Sequence, residues 1–303
     1  MVRMGMFFIS LAILMFSCES TEVWAFQTKK INILNMEKLN TVANEDDPCI
    51  MADNSQLIFT SDEGGTVQLR MASRKSAGEP LTRERIVDEL AGEGECRSAC
   101  LLPKDKEGWE YLYFATQYHT DKKKPNLDLY RVGRFSPQRP FQGYNAASPV
   151  QITATVEDEA YPCLSADGKE LYFSRRKTTG WKLMRCLARE LHVYESMAEV
   201  TMPEGYHHVT LSRSGLTMIL QGPVKPGEPL QGLFFSKRPD KQGLWSEPES
   251  LKSVNDTQGM IGTCSPCLSA DNKYLYFASD RPGGKGGLDL YVVAVGEIEE
   301  LKK

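Results

Sequence analysis

Apolar and polar positions alternate in short runs along most of this chain, and Cys264 to Val293 shows the unit most plainly. Leu268 leads into the turn Ser269-Ala270-Asp271-Asn272, and Tyr274 to Ala278 then alternates as a half-buried strand does. Asp280-Arg281-Pro282-Gly283-Gly284 breaks that strand, and Leu288 to Val293 makes a third. The same order recurs from Pro48-Cys49 through Leu57-Ile58-Phe59, from Cys100-Leu101 through Leu112-Tyr113-Phe114, and from Pro162-Cys163 through Leu171-Tyr172-Phe173. A fourth, divergent copy keeps Leu211-Ser212 and Met218-Ile219-Leu220 but places Val209-Thr210 where the others have Pro-Cys or its equivalent.

A more polar run separates successive units: Leu81 to Leu90, Val150 to Val156, Val193 to Val200 and Glu249 to Val254. Four strands per unit and five units predict an all-β fold, a five-bladed β-propeller with four-stranded blades. Repeats fall near 47–74, 96–132, 159–187, 206–237 and 264–294, within a propeller domain spanning 26–295, followed by a charged tail at 296–303. The fifth unit has no polar run after it. Met36 to Val42 resembles Glu249 to Val254, so the N-terminal segment is expected to supply the missing outer strand and close the ring.

The start of the chain reads differently. Arg3 precedes an almost wholly apolar stretch from Met6 to Ser17. Such a stretch, about a dozen residues, is too short to span a bilayer and reads as an export signal within residues 1–25. Two processing routes compete: ordinary cleavage after Val23-Trp24-Ala25, or lipidation of Cys18 in Met15-Phe16-Ser17-Cys18, which resembles a bacterial lipoprotein box. The expected location is periplasmic, or anchored to the outer membrane as a lipoprotein, with membrane contact only through that anchor. A net charge of -4 lacks the basic footprint of a nucleic-acid binder, so DNA and RNA are not expected partners.

Pro162 to Ser174 and Pro266 to Tyr291 resemble the TolB-type, WD40-like propeller repeat of bacterial envelope proteins, with its Pro-x-apolar-Ser-x-Asp-Gly start and Asp-Leu-Tyr third strand. The resemblance implies a non-catalytic module that binds an envelope protein or another envelope component. The alternative is a carbohydrate-active, glycosidase-like five-bladed enzyme using acids at the channel mouth.

Candidate chemistry is sparse. Carboxylates precede the inner strands, and Asp46, Asp47, Glu95, Asp158, Glu159 and Glu204 are the candidate binding residues at one mouth of the channel. No catalytic residue, metal site or cofactor is singled out. Four of the eight cysteines, Cys49, Cys100, Cys163 and Cys267, occupy one repeat position, which argues for packing above pairing. Equivalent side chains are expected in separate inter-blade layers, about 10 Å apart. His207-His208 are adjacent on a strand and should face opposite ways, as a hydrogen-bonded or solvated pair.

Overall fold

Each unit folds as an antiparallel sheet because its strands are short, alternating and joined by tight turns. The computed structural model describes residues 31–302 except 77–78, 92–93, 103 and 118–125. The signal-like segment 1–25, with Cys18, lies outside the described residues. Five four-stranded sheets form the blades of a propeller. Their inner strands are Glu45–Ile50, Cys96–Leu102, Glu159–Leu164, His207–Leu211 and Thr263–Leu268, for blades I to V.

Apolar residues on both faces of each blade meet those of its neighbours, so the core is divided into five layers. Leu39, Phe59, Tyr276 and Leu290 fill the seam between blades V and I, and Ile58, Leu69, Leu112 and Phe114 that between I and II. Tyr113, Phe173 and Met184 lie between II and III, Tyr172, Leu183, Met218 and Phe234 between III and IV, and Ile219, Phe235, Phe277 and Val293 between IV and V.

The ring closes through the N-terminal segment. Leu34 and Asn35 pair with Val292 and Tyr291 at the outer edge of blade V. The closing strand therefore lies just before the expected Met36 to Val42, for a local reason. Met36 N–H bonds Leu290 O, Leu39 N–H then turns back to Met36 O, and Leu39 is buried. Blade IV ends its outer strand in the same way at Glu249–Ser250, with Leu251 N–H on Leu233 O and Val254 N–H on Leu251 O. Asn40 and Asn255 replace further strand pairing. The Asn40 amide accepts Leu290 N–H at 2.8 Å and donates to Leu290 O at 3.0 Å, and Asn255 does the same to Leu233 at 2.7 and 2.9 Å.

Seven cysteines, Cys49, Cys96, Cys100, Cys163, Cys186, Cys264 and Cys267, are free thiols. The repeat-position cysteines are not segregated into separate layers: all four line one axial cavity with Thr210. Each faces a backbone N–H of the next blade: Leu101 N–H at Cys49, Leu164 N–H at Cys100, Leu211 N–H at Cys163 and Ile50 N–H at Cys267. Blade IV completes the circle with oxygen, Thr210 Oγ1 accepting Leu268 N–H at 3.0 Å. The N–H groups on the channel edge of the inner strands would otherwise lack partners, and a small acceptor at this position answers that need.

Candidate functional site

A bulge interrupts every inner strand at the same place. The pairing register slips between Asp46 and Cys49, Arg97 and Cys100, Ala160 and Cys163, His207 and Val209, and Cys264 and Cys267. The extra residue puts Asp47, Ser98, Tyr161, His208 and Ser265 in the left-handed region, with φ of 47, 57, 56, 43 and 53°. None is glycine. A non-glycine residue held there costs about 1–2 kcal/mol, and strain repeated around one ring marks a place where side chains have been re-aimed for a purpose. In three blades the next residue is proline, Pro48, Pro162 or Pro266, which has no N–H to lose where the ladder breaks.

Asp47 is the hub. Its side chain is 2% exposed, and its oxygens accept from Ser98 Oγ at 2.9 Å, Ser265 Oγ at 3.1 Å, Thr60 Oγ1 at 3.2 Å and Arg97 Nε at 3.3 Å. His208 Nδ1 lies 3.7 Å from Asp47 Oδ1 and is a buried polar atom with no hydrogen-bond partner among the described residues. Thr60 Oγ1 also accepts Ser98 N–H at 3.2 Å, locking blade II to blade I. Four blades thus meet on one carboxylate.

Arg97 holds three carboxylates. Nη2 meets Asp46 Oδ2 at 3.0 Å, Nε meets Asp47, and Nη1 meets Glu95 Oε1 at 3.5 Å, while the guanidinium lies 5.8 Å from the Tyr161 ring. One cation cannot neutralise three anions, and the two aspartates diverge. Burial tends to raise the Asp47 pKa, but Arg97, His208 and the serine hydroxyls hold it below its usual value. Asp46 goes the other way. Burial, then the charge of Asp47, push it up to about 8 against the pull of Arg97. The far wall is aromatic: Tyr161 stacks on His208 at 4.2 Å, and Trp181 lies parallel to His207 at 5.9 Å. Burial lowers both histidines to about 4, leaving neutral imidazoles at neutral pH.

Of the acids expected at the mouth, Asp46, Asp47 and Glu95 come together on Arg97. Asp158 instead accepts Leu127 N–H at 3.0 Å, Glu159 is wholly buried against Arg175 Nε at 2.9 Å, and Glu204 is exposed on the turn 203–206. Glu159 matches Glu45 of blade I: each is gripped by a threonine four residues earlier, Thr155 or Thr41, and serves the strand ends. A ring of acids is replaced by a cluster on one wall. Arg97, Ser98, Tyr161, His208 and Ser265 were not among the expected site residues. The proline in the middle of an inner edge strand was the available signal for three of these bulges.

No protein-family model matches the chain, and no curated protein sequence does either. Solved structures do. The α-L-arabinofuranosidase of Podospora anserina in complex with cellotriose matches at a TM-score of 0.59 and 11% identity, over 85% of this chain and 94% of that one. A thermostable family-43 glycoside hydrolase matches at a TM-score of 0.61 and 8% identity, over 86% and 92%. A β-xylosidase/α-arabinofuranosidase from a compost metagenome, in complex with xylotriose, matches at 0.58 and 12%, over 88% and 94%. These neighbours correct the resemblance to TolB-type repeats, which rested on a short strand-turn pattern that five-bladed sheets of this kind also satisfy. They likewise overturn the expectation of a non-catalytic envelope-binding module. At these identities the likeness is one of fold: the chain shares its five-bladed architecture with glycoside hydrolases.

Proposed function

We propose that this chain is a carbohydrate-active enzyme of the glycoside-hydrolase type, with its site at the axial cluster of Asp46, Asp47, Glu95 and Arg97. The observation that carries the reading is the gathering of three carboxyls, Asp46, Asp47 and Glu95, on the single guanidinium of Arg97, where proton retention is favoured on Asp46 and disfavoured on Asp47. Glycoside hydrolysis asks for that division, a carboxylic acid to protonate the leaving oxygen and a carboxylate to activate water or stabilise the developing cation. Asp46, 16% exposed, is the acid. Glu95, the most exposed of the three at 28%, is the carboxyl open to water. Asp47 is enclosed and acts as the fixed charge that holds Arg97 and keeps Asp46 protonated. The signal-like start of the chain fits an enzyme that meets its saccharide outside the cytoplasm.

The neighbours' substrates define the first screen: aryl α-L-arabinofuranosides, aryl β-xylosides, xylotriose and cellotriose. Turnover should show an alkaline limb near pH 8, and Asp46→Asn should lower kcat about 10²–10⁴-fold. Asp47→Asn removes the repulsion on Asp46 and should move that limb to lower pH. An absence of both turnover and saccharide binding, measured by NMR against correctly folded protein, would end this reading.

A further inference from the structure

The axial cavity lined by the repeat-position cysteines occupies the channel at the opposite end of the inner strands from the acidic cluster, where their hairpin turns lie. It measures about 430 Å³, within the size range of small-molecule sites. Its walls form successive rings. The first is Cys49, Cys100, Cys163, Thr210 and Cys267, two residues beyond the bulges. The second is Ile50, Leu101, Leu164, Leu211 and Leu268. At the mouth stand Ala52, Ala166, Arg213 and Ala270, all exposed and all at the same repeat position.

Most of the chamber's lining is apolar, and its polar groups are largely engaged. Burial keeps the thiols protonated, Cys100 at about 12 and Cys267 at about 11. The Cys163 and Cys267 thiols point at their own strands' carbonyls at 4.0 and 3.7 Å. The mouth serines are engaged within their own turns: Ser165 Oγ with Asp167, Ser269 Oγ with Asp271, and Ser212 Oγ with Ser214. A water needs two to four polar partners, and an apolar cavity without them stays dry and open to an apolar guest.

Blade IV breaks the symmetry twice, both times here. It places Thr210 where the other blades have cysteine, and Arg213 where three described blades have alanine. Asp271 at the rim has Lys273 at 3.6 Å, whereas the Arg213 guanidinium has no ion pair with a described residue. An interior lined mostly by thiols and aliphatic side chains, with the unpaired Arg213 guanidinium at its lip, has the complement of a definite ligand class. We propose that this chamber binds a small amphiphilic carboxylate, its hydrocarbon body among the thiols and aliphatic side chains and its head group on Arg213.

Calorimetric titration of the full chain with decanoate, and separately with decanol, below their aggregation limits, tests this. Decanoate should bind at a single site. Arg213→Ala should weaken it about tenfold, equivalent to 1.4 kcal/mol, and leave decanol unchanged. Ala166→Trp, at an exposed turn position, should block both ligands. Thermal melting of the two variants checks that each is folded. Failure of decanoate to bind the wild type overturns the proposal, as does binding indifferent to both substitutions. If Ala166→Trp blocks the ligands but Arg213→Ala changes nothing, the head-group assignment is overturned.

Discussion

Asp47 shows how one residue can set the properties of its neighbours. Enclosed by four blades, it is ionised by the donors around it, and burial together with its charge then favours a proton on Asp46. The histidines respond to burial first, with neighbouring charges as lesser causes. His207, His208 and His192 have pKa values lowered from 6.5 to about 4. A depressed folded pKa gives stability that is fully present above 6.5 and is lost as pH falls toward 4. For His207 and His208 this is on the order of 3 kcal/mol each. Asp46 acts in the opposite sense, because a raised carboxyl favours the folded state below its unfolded pKa of 3.8 and loses that advantage as pH rises through about 8. Glu159, pushed up by burial from 4.5 to about 7, acts in the same sense as Asp46, but the three histidines outweigh the two carboxyls, so urea midpoints should fall between pH 6.5 and 4. His208→Gln should reduce that fall, and a flat profile over this range would contradict the account.

At the scale of elements, the inner strand does two jobs a few residues apart. Its first half carries the bulge that turns a side chain toward the axis, and its second half carries an acceptor that faces a backbone N–H of the next blade, hydrogen-bonded to it at Thr210. Thr210 shows that the second job needs an acceptor and not sulfur in particular. Cys163→Ser should therefore be nearly neutral. Cys163→Val keeps the bulk but orphans the Leu211 N–H and should cost about 1–3 kcal/mol, read from denaturant unfolding. Equal costs for the two substitutions would show that packing, and not the N–H, fixes cysteine at this position.

The whole molecule depends on closure. Blade V has no outer strand of its own, and two residues, Leu34 and Asn35, complete it. So short a strand is secured by the Asn40 amide, buried against Leu290. Asn40→Ala leaves the Leu290 N–H without a partner inside the seam between blades V and I, while Leu290 O keeps Met36 N–H, and should cost about 1–3 kcal/mol. The loss should appear as one cooperative transition if closure supports every blade. A separate early transition in blade V would instead show that the ring tolerates opening.

The sequence by itself determined the five units, their four strands, the aromatic core positions and the need for an N-terminal closing strand, because hydrophobic alternation and turn residues are local properties with a fixed period. It also marked Asp46, Asp47 and Glu95 as acids before inner strands. Tertiary structure alone decided which acids meet, because a one-residue bulge changes where a side chain points without changing the apolar pattern around it. Asp158 and Glu159 share the sequence signature of Asp46 and Asp47, yet they serve strand ends. Arg97, Tyr161 and His208 look ordinary in the chain, and they become a site only when five strands, separated by tens of residues, bring their bulges to one axis.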